Sequence, residues 1–287
     1  MRLRPIAPAD FDWFADRGAA ADLRRIVASA SQYDGVEPLN EEATLALRHE
    51  GLRGASLWLA EDAGFALVQD ELLNLVVDPV SRGRGVATAL LNNVVNARDT
   101  SLHAWSHVDH PAAGALARAY DFDRVRDLWV MGRALAPGSS GSAALRTFEA
   151  DNLAAIVRIN ARAFAWHPEQ GRLTKADFQR RMSEAWFDPS GLIVALVDGE
   201  IAGFHWTKIH PGQIGEVYVV AVDPDFSGRG VGKALTEAGL AHLHGQGCTR
   251  VILYVDADNT AATRLYEGLG FTKIRGEAQY SRPAAGS

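Results

Sequence analysis

One glycine-rich turn occurs twice in this chain, as VDPVSRGRGVATAL at 77 to 90 and as VDPDFSGRGVGKAL at 222 to 235. Asp78 and Asp223 stand 145 positions apart, far beyond the roughly 20–50-residue period of solenoid repeats. The echo therefore spans whole domains, and the chain reads as a duplication of one fold. Its 287 residues leave room for two domains of about 140 residues, each with its own core. The stretch ALAPGSSGSAAL, 134 to 145, concentrates Pro, Gly and Ser between two patterned regions, the composition of a flexible joint. The division drawn from it is an N-terminal domain over 1–136, a linker over 137–143 and a C-terminal domain over 144–287, with SRPAAGS as a frayed tail.

The second half carries the clearer pattern. ALRTFE reads as a short strand, Asp151 as the N-cap of the helix NLAAIVRINARAF, and Lys175 to Ala185 as a second helix. GLIVALVDGEIAGFHWTKIH is two apolar strands joined at Asp198-Gly199, a strong hairpin signal. GEVYVVAVD is a further strand whose near-continuous apolar run implies burial on both faces. A helix from Arg229 places Val231, Ala234, Leu235, Ala238 and Ala241 on one side. RVILYVDA is the next strand, Asp258 or Asn259 starts a helix through TAATRLYEGL, and closing strands follow Gly270-Phe271. The order is β-α-α-β-β-β-α-β-α-β.

The first half repeats this order in worn form, with helices expected around Phe11 to Ala30 and Asn40 to Glu50, then SLWLAEDAGFALV, ELLNLVVD, the helix after Arg84, SLHAWS, AAGALARAY and RVRDLWVM. The fold class is mixed α/β in both halves.

Composition excludes several functions. A formal charge of -6 offers no global attraction to nucleic acid or anionic lipid and suits a small cationic or neutral ligand better. A single cysteine, Cys248, rules out an internal disulfide and reads as a small buried hydrophobe. No apolar run approaches the ~20 residues of a membrane span, and the N-terminus lacks the apolar core of a signal peptide, so a soluble cytoplasmic protein is expected; a monomer is expected as well. His167, His205 and His210 show no metal-ligand spacing, and no metal is expected.

A turn that ends a buried strand and opens a helix aims several backbone N–H groups one way, where the helix dipole adds partial positive charge. The glycines at 228, 230 and 232 let the backbone approach an anion, and Arg229 can add charge. The spacing is neither the Walker pattern nor the dinucleotide fingerprint. Taken alone, a plain strand-to-helix turn and an anion site both remain open.

The strand EVYVVAV, the turn VDPDFSGRGVG and the unit LYVDADNTAATRLYEGLGF together resemble the cofactor-binding core of the GCN5-related N-acetyltransferases. With AFAWHPEQGRLT, EAWFDPSGLIVAL and GFHWTKIHPG, the resemblance extends to a branch with two such domains in tandem. It implies two acetyltransferase folds, each a mixed, mostly antiparallel sheet flanked by helices, and acetyl-CoA as co-substrate. The reaction implied is acetyl transfer to the cysteinyl amine of a cysteine–glucosamine–inositol conjugate, a small-molecule thiol precursor.

Residue by residue, the resemblance places the pantetheine arm along Val220, Ala221 and Val222. It wraps the pyrophosphate in Ser227, Gly228, Arg229, Gly230, Val231, Gly232 and Lys233, and adds Asn259, Thr260, Ala261, Ala262, Thr263 and Arg264 from the next helix. Ser227 departs from the pattern, since the family usually has Gln or Arg there; Arg229 offers compensating charge. In the first half Leu75, Val76 and Val77, with Arg82, Gly83, Arg84, Gly85, Val86 and Ala87, hold the matching places.

Acetyl transfer to an amine needs a proton acceptor, because an α-amino group with a pKa of ~8 is largely protonated at neutral pH. Glu216 begins the strand leading to the turn, where a carboxylate serves either as that base or as a solvated strand-end charge. By resemblance Tyr266 is the general acid for the departing thiolate; without it, Tyr266 is an ordinary core tyrosine. Glu41, Glu169, Lys208, Glu216 and Tyr254 are the implied acceptor-binding residues. Trp166, Trp186 and Trp206 read as core or pocket walls. Counting back from Phe122 and Phe271 puts Ala117 opposite Tyr266 and His110 opposite Asn259, while Glu71 aligns with Glu216. The first half lacks the acid and is expected to be non-catalytic. An N-acetyltransferase for another amine, an aminoglycoside or a protein N-terminus, and a non-catalytic acyl-CoA sensor are the competing readings.

Overall fold

The computed structural model describes residues 2–137, 144–167 and 170–284. Glu169 and most of the expected linker lie outside the described residues. Contacts divide the chain into two compact units, Met1–Leu128 with Arg275–Ser287, and Trp129–Ile274. Cutting by contact thus differs from cutting by composition, because the last strand of the chain belongs with the first unit.

The first unit contains β1 (Arg4–Ile6), α1 (Ala19–Asp34), α2 (Glu41–Glu50), β2 (Ala55–Leu59), β3 (Gly64–Gln69), β4 (Leu72–Val77), α3 (Val86–Ala97), β5 (Leu102–Ser106), α4 (Pro111–Ala119) and the start of β6 (Asp123–Ala134). The first helix begins at Ala19 instead of near Phe11, because Pro8–Asp10 makes a single 3-10 turn and Gly18 adopts φ 84, outside helical space. Strands β2, β3 and β4 form an antiparallel meander, and β4 lies parallel to β5 only over Leu72–His103 and Leu73–Ala104. Alternation decides the two faces: Leu57, Leu59, Phe65 and Leu67 pack under Leu23, Ile26 and Leu47, while Ala66, Val68 and Leu73 pack under Val86, Leu90 and Val94.

The second unit takes the end of β6, then β7 (Ala144–Thr147), α5 (Leu153–Ala163), α6 (Lys175–Met182), β8 (Leu192–Val197), β9 (Glu200–His210), β10 (Ile214–Val222), α7 (Val231–Gly245), β11 (Arg250–Asp256) and α8 (Thr260–Gly268). Its strand order is β11-β10-β9-β8-β7, antiparallel except for the β10–β11 pair. The β8–β9 turn is the two-residue connection expected, with Asp198 and Gly199 at φ 52 and 84. Asn152, one residue after Asp151, occupies the N-cap position of α5 without a side-chain bond to its first turn; its Oδ1 instead accepts the Glu149 N–H at 2.9 Å in the capping box of the 3-10 turn just before. Helices α5 and α6 cover one face through Ile156 and Phe178 on Val194, Phe204 and Trp206, and α7 covers the other through Leu240 and Leu243 on Val217, Val251 and Leu253.

The closing strand, β12 (Thr272–Arg282), pairs antiparallel with β5 in the first unit, from Ala278–Ser106 to Arg282–Leu102. The expected frayed tail is therefore ordered at its start, since Ser281 and Arg282 are ladder residues.

A buried histidine ties α7 to the sheet. His205 is fully buried in β9, its Nδ1 lies 2.8 Å from the Leu235 carbonyl, and α7 passes so close that a Cβ on Gly239 would lie 2.0 Å from the ring. Desolvation lowers its pKa to about 4, opposed by the Leu235 carbonyl and aided by nearby His242. The unfolded chain, with an imidazole pKa of ~6.5, binds a proton that the folded ring refuses, so this stability is complete above that value. It is lost as pH falls toward 4, by roughly 3 kcal/mol at most. Urea unfolding midpoints should therefore drop between about pH 7 and pH 5, and His205→Gln should flatten that slope; a midpoint equally steep in the variant would assign the slope to other groups.

Candidate active site

The strand-to-helix turn of the second unit is built by local hydrogen bonding. Asp223 closes β10 with its N–H on the Ala202 carbonyl at 2.8 Å, and its Oδ1 accepts the Asp225 N–H at 3.1 Å. Arg162 of α5 grips Asp223 at 2.9 Å and Asp225 at 3.0 Å. The chain then passes Ser227 and Gly228 to Gly230, which caps α7 at φ 77, ψ 2 and brings no side-chain oxygen to the first-turn N–H groups. That left-handed geometry favours glycine, and the uncapped donors make an anion cradle. Arg229 lies above the Phe226 ring at 5.3 Å and Lys233 sits one turn from Glu237, both on the exposed rim.

The first unit repeats this geometry. Asp78 and Asp223 have φ, ψ of -52, 130 and -58, 131; Arg82 and Ser227 have -65, 154 and -63, 150; Gly85 and Gly230 have 79, 8 and 77, 2. Asp78 N–H reaches the Ala63 carbonyl at 2.9 Å, and a Cβ on Gly64 would meet the Val76 carbonyl at 2.7 Å, as one on Gly203 would meet that of Ala221 at 2.6 Å. The side chains differ. Arg82, in the place of Ser227, is held bidentately by Asp34 at 2.7 and 2.6 Å, which raises its pKa further.

Beside the second turn the sheet opens. The β10–β11 register runs from Ile214–Arg250 to Val217–Leu253, whereas β10 stays paired with β9 as far as Val222–Gly203. The β9 register slips between Val217 and Val219, so Tyr218 is the extra residue of a bulge. Val220, Ala221 and Val222 lie past the last β11 pair, and their main-chain groups on that side suit an extended amide ligand. In the first unit β4 likewise outruns β5, leaving Leu75, Val76 and Val77 beyond Leu73–Ala104. Asn259 caps α8, its Oδ1 accepting the Ala262 N–H at 3.1 Å and so bringing Thr260 to Arg264 to the same end of the sheet, while His110 caps α4 through Nδ1 on the Ala112 N–H.

Polar side chains gather where the strands part. Glu216, 7% exposed, sits directly opposite Lys208 across the β9–β10 ladder, and its Oε2 is 2.5 Å from His210 Nε2. Lys208 Nζ lies 4.4 Å from the Trp186 ring centroid and 5.2 Å from that of Tyr218. Tyr254 is one residue past the last β11 pair and half-exposed. Tyr266 is buried at the end of α8, edge-on to Phe271 at 5.8 Å and clustered with Val217 and Val255. Val217 and Glu216 point to opposite faces, so Glu216 and Tyr266 approach the opening from its two sides. Glu41 opens α2 of the first unit behind its Asn40 cap. His210, Tyr218 and Trp186 are the additions that sequence reasoning did not place here. For His210 the signal was the HPGQ connection, whose short length sets Lys208 against Glu216 and His210 on the same face; for Tyr218 and Trp186 the sequence carried none. Among the described residues, no group of three His, Cys, Asp or Glu converges as a metal site, and burial raises the Cys248 thiol.

A strand-splaying mixed sheet with an uncapped turn at its open end, in a chain matched by the family model and relatives that follow, belongs to an acyl-CoA-dependent N-acetyltransferase. Residues 153–271 match the acetyltransferase (GNAT) family model. The tandem GNAT protein from the clavulanic acid biosynthesis pathway superposes over 100% of this chain and 99% of its own with TM-score 0.70 at 16% identity, and a GCN5-related N-acetyltransferase from Sphaerobacter thermophilus over 99% and 95% with 0.68 at 23%, likenesses of fold. Among curated proteins, the mycothiol acetyltransferase of Nocardioides sp. is 47% identical over 88% of this chain and 95% of its own length. That of Thermobispora bispora is 46% identical over 90% and 94%. The chain belongs to the mycothiol acetyltransferase branch of the GNAT family.

Burial pushes the Tyr266 phenol up to about 12, because the phenolate would lose its water. The hydroxyl therefore keeps its proton well past the ordinary tyrosine pKa of ~10. In a spectrophotometric titration of the six tyrosines, at least one should remain un-ionised at about pH 11, and that late step should vanish in Tyr266→Phe.

Proposed function

We propose that the second unit transfers an acetyl group from acetyl-CoA to the cysteinyl amine of a cysteine–glucosamine–inositol conjugate, giving mycothiol. The observation that carries this reading is the grouping of Glu216, Lys208 and His210 on one face where β10 and β11 part, with Tyr266 at the other side. Bound acetyl-CoA supplies an acyl group activated as a thioester. The turn from Ser227 to Lys233 holds the pyrophosphate through N–H groups, and Val220, Ala221 and Val222 bind the pantetheine amides. Asn259 and the start of α8 close the same end.

Glu216 takes the proton of the acceptor amine through the oxygen that His210 does not engage, directly or through water. Tyr266, still protonated at working pH, gives its proton to the departing thiolate. Glu169, Lys208 and Tyr254 bind the acceptor's ammonium and hydroxyl groups. The first unit keeps the turn but has Ala117 at the place of Tyr266: Phe122 N–H closes on the Ala117 carbonyl at 2.9 Å as Phe271 N–H does on that of Tyr266 at 3.0 Å. It is therefore non-catalytic in this reading. A cytoplasmic monomer working without metal, nucleic acid or membrane belongs to the same proposal; the charge of -6 suits a small neutral or cationic acceptor better than nucleic acid or anionic lipid.

If Glu169 and Lys208 hold the sugar and inositol, each charge-assisted bond adds roughly 1.5–3 kcal/mol of discrimination. Free cysteine should then be a far poorer acceptor than the conjugate, with aminoglycosides and peptide N-termini poorer still. Steady-state assays on all four acceptors decide this; equal efficiency on cysteine and the conjugate would overturn the substrate.

The acid–base assignment makes a separate expectation. Glu216→Gln should lower turnover by about 10²–10⁴-fold, the usual scale of general-base catalysis. Tyr266→Phe should slow turnover while acetyl-CoA binding by calorimetry stays near wild type. Wild-type turnover in either variant at saturating substrates removes that residue from the mechanism.

A further inference from the structure

Tyr218 owes its direction to the bulge. In a regular ladder it would stand opposite a β9 residue, but the register passes from Val217–Thr207 to Val219–Trp206 and leaves Tyr218 over. An extra residue twists the strand locally and re-aims its side chain. The ring packs T-shaped against Trp206 at 5.4 Å and Trp186 at 5.2 Å, and its hydroxyl accepts from Arg181 Nε at 3.1 Å. Arg181 is itself buried in α6, with a second bond to the Asp177 carbonyl at 3.3 Å. The tyrosine is thus fixed at both ends, by packing and by a charged donor.

The Lys208 ammonium lies within 4.4 Å of the Trp186 centroid and 5.2 Å of the Tyr218 centroid, on the face and at the ladder position of Glu216. Ammonium groups are attracted to the faces of such rings within about 6 Å of the centroid, and a lysine side chain otherwise carries large rotamer freedom. We propose that Trp186 and Tyr218 are specificity-determining positioning residues for acetyl transfer: they lock the Lys208 ammonium beside Glu216, so that acceptor hydroxyls meet a fixed donor next to the base. Arg181 acts one step further out by holding the Tyr218 ring. This inference rests on the reading of Lys208 as an acceptor-binding residue.

The test is a pair of double-mutant cycles on the full chain, Trp186→Leu with Lys208→Met and Tyr218→Leu with Lys208→Met, read as KM for the conjugate, KM for acetyl-CoA, and kcat, with melting curves alongside. Each ring variant alone should raise the acceptor KM by about three- to tenfold, the scale of a cation–π contact, with little change in the acetyl-CoA KM. In the Lys208→Met background the same ring change should add nothing, because the rings act through the lysine. Tyr218→Phe, which keeps the ring and loses the Arg181 bond, should fall between Tyr218→Leu and wild type. Should a leucine variant fail to fold, Trp186→Phe and Tyr218→Phe run the same cycles with less loss of packing.

The outcomes separate cleanly. If Lys208→Met leaves the acceptor KM unchanged, the underlying acceptor reading fails. If Lys208→Met raises it but folded ring variants do not, or if the ring effects persist in full without the lysine, the positioning role fails.

Discussion

Strand β10 is held on one side along its whole length and released on the other after four residues. Its ladder to β9 continues to Val222–Gly203, but the parallel ladder to β11 ends at Val217–Leu253. Main-chain donors and acceptors beyond that point are an unpaired edge inside a covered sheet, which a folded protein tolerates only where solvent or a ligand completes them. An extended amide chain satisfies such an edge in the way a strand would. The remaining parts of the site follow in sequence from this opening. Glu216 stands one residue before the parting, Tyr218 bulges at it, Tyr254 is the first β11 residue past it, and the Gly228–Gly230 turn receives whatever emerges at the strand end.

Burial makes Glu216 dependent on its neighbours. A carboxylate at 7% exposure needs a hydrogen-bonded partner, and His210, four residues back from the strand start, reaches it because the β9–β10 connection spans only three residues. The pair fixes one carboxylate oxygen and orients the other. On the opposite face Tyr266 is surrounded by apolar side chains, which keep its proton in place. Two titratable groups thus meet one opening in opposite surroundings, a polar ladder for Glu216 and an apolar cluster for Tyr266, which are the surroundings that the proposed base and acid roles require.

Much of this was legible in the residues. The Asp198-Gly199 hairpin and the paired glycine turns could be read because only a few residue types accept left-handed backbone, and these sit between strongly apolar runs. The position of Ala117 opposite Tyr266 could be counted back from Phe122 and Phe271, which follow the two helices. Register could not be read. VYVVAV has the same hydrophobic pattern with or without an extra residue at Tyr218, so neither the bulge nor the Lys208 platform carries a sequence signal. Helix α1 was placed too early because the apolar spacing of Phe11, Trp13 and Phe14 mimics a helical face that Gly18 interrupts. SRPAAGS has the composition of a tail, yet the β5 edge claims its first two residues.

The twinned turns show why a shared backbone does not imply shared chemistry. In both units a buried aspartate ends the strand and is gripped by an arginine from the first or second helix of its own unit, Arg25 on Asp78 and Arg162 on Asp223. That ion pair anchors helix to sheet whether or not anything binds, so the turn persists for reasons of folding. Its glycines persist with it, since left-handed φ is demanded by the path of the chain. The side chains proposed for catalysis have no such role in the fold. Glu71, at the place of Glu216, is exposed and engages the Ser101 hydroxyl, with His103 at 3.8 Å; Ala117 fills the acid's place with a methyl group that packs well. Arg82 offers the turn a cation, but Asp34 already neutralises it. On the proposed assignment the first unit needs only what holds its sheet and helices together, and the residues the two turns share, the strand-end aspartate with its arginine and the left-handed glycines, are ones that the fold itself uses.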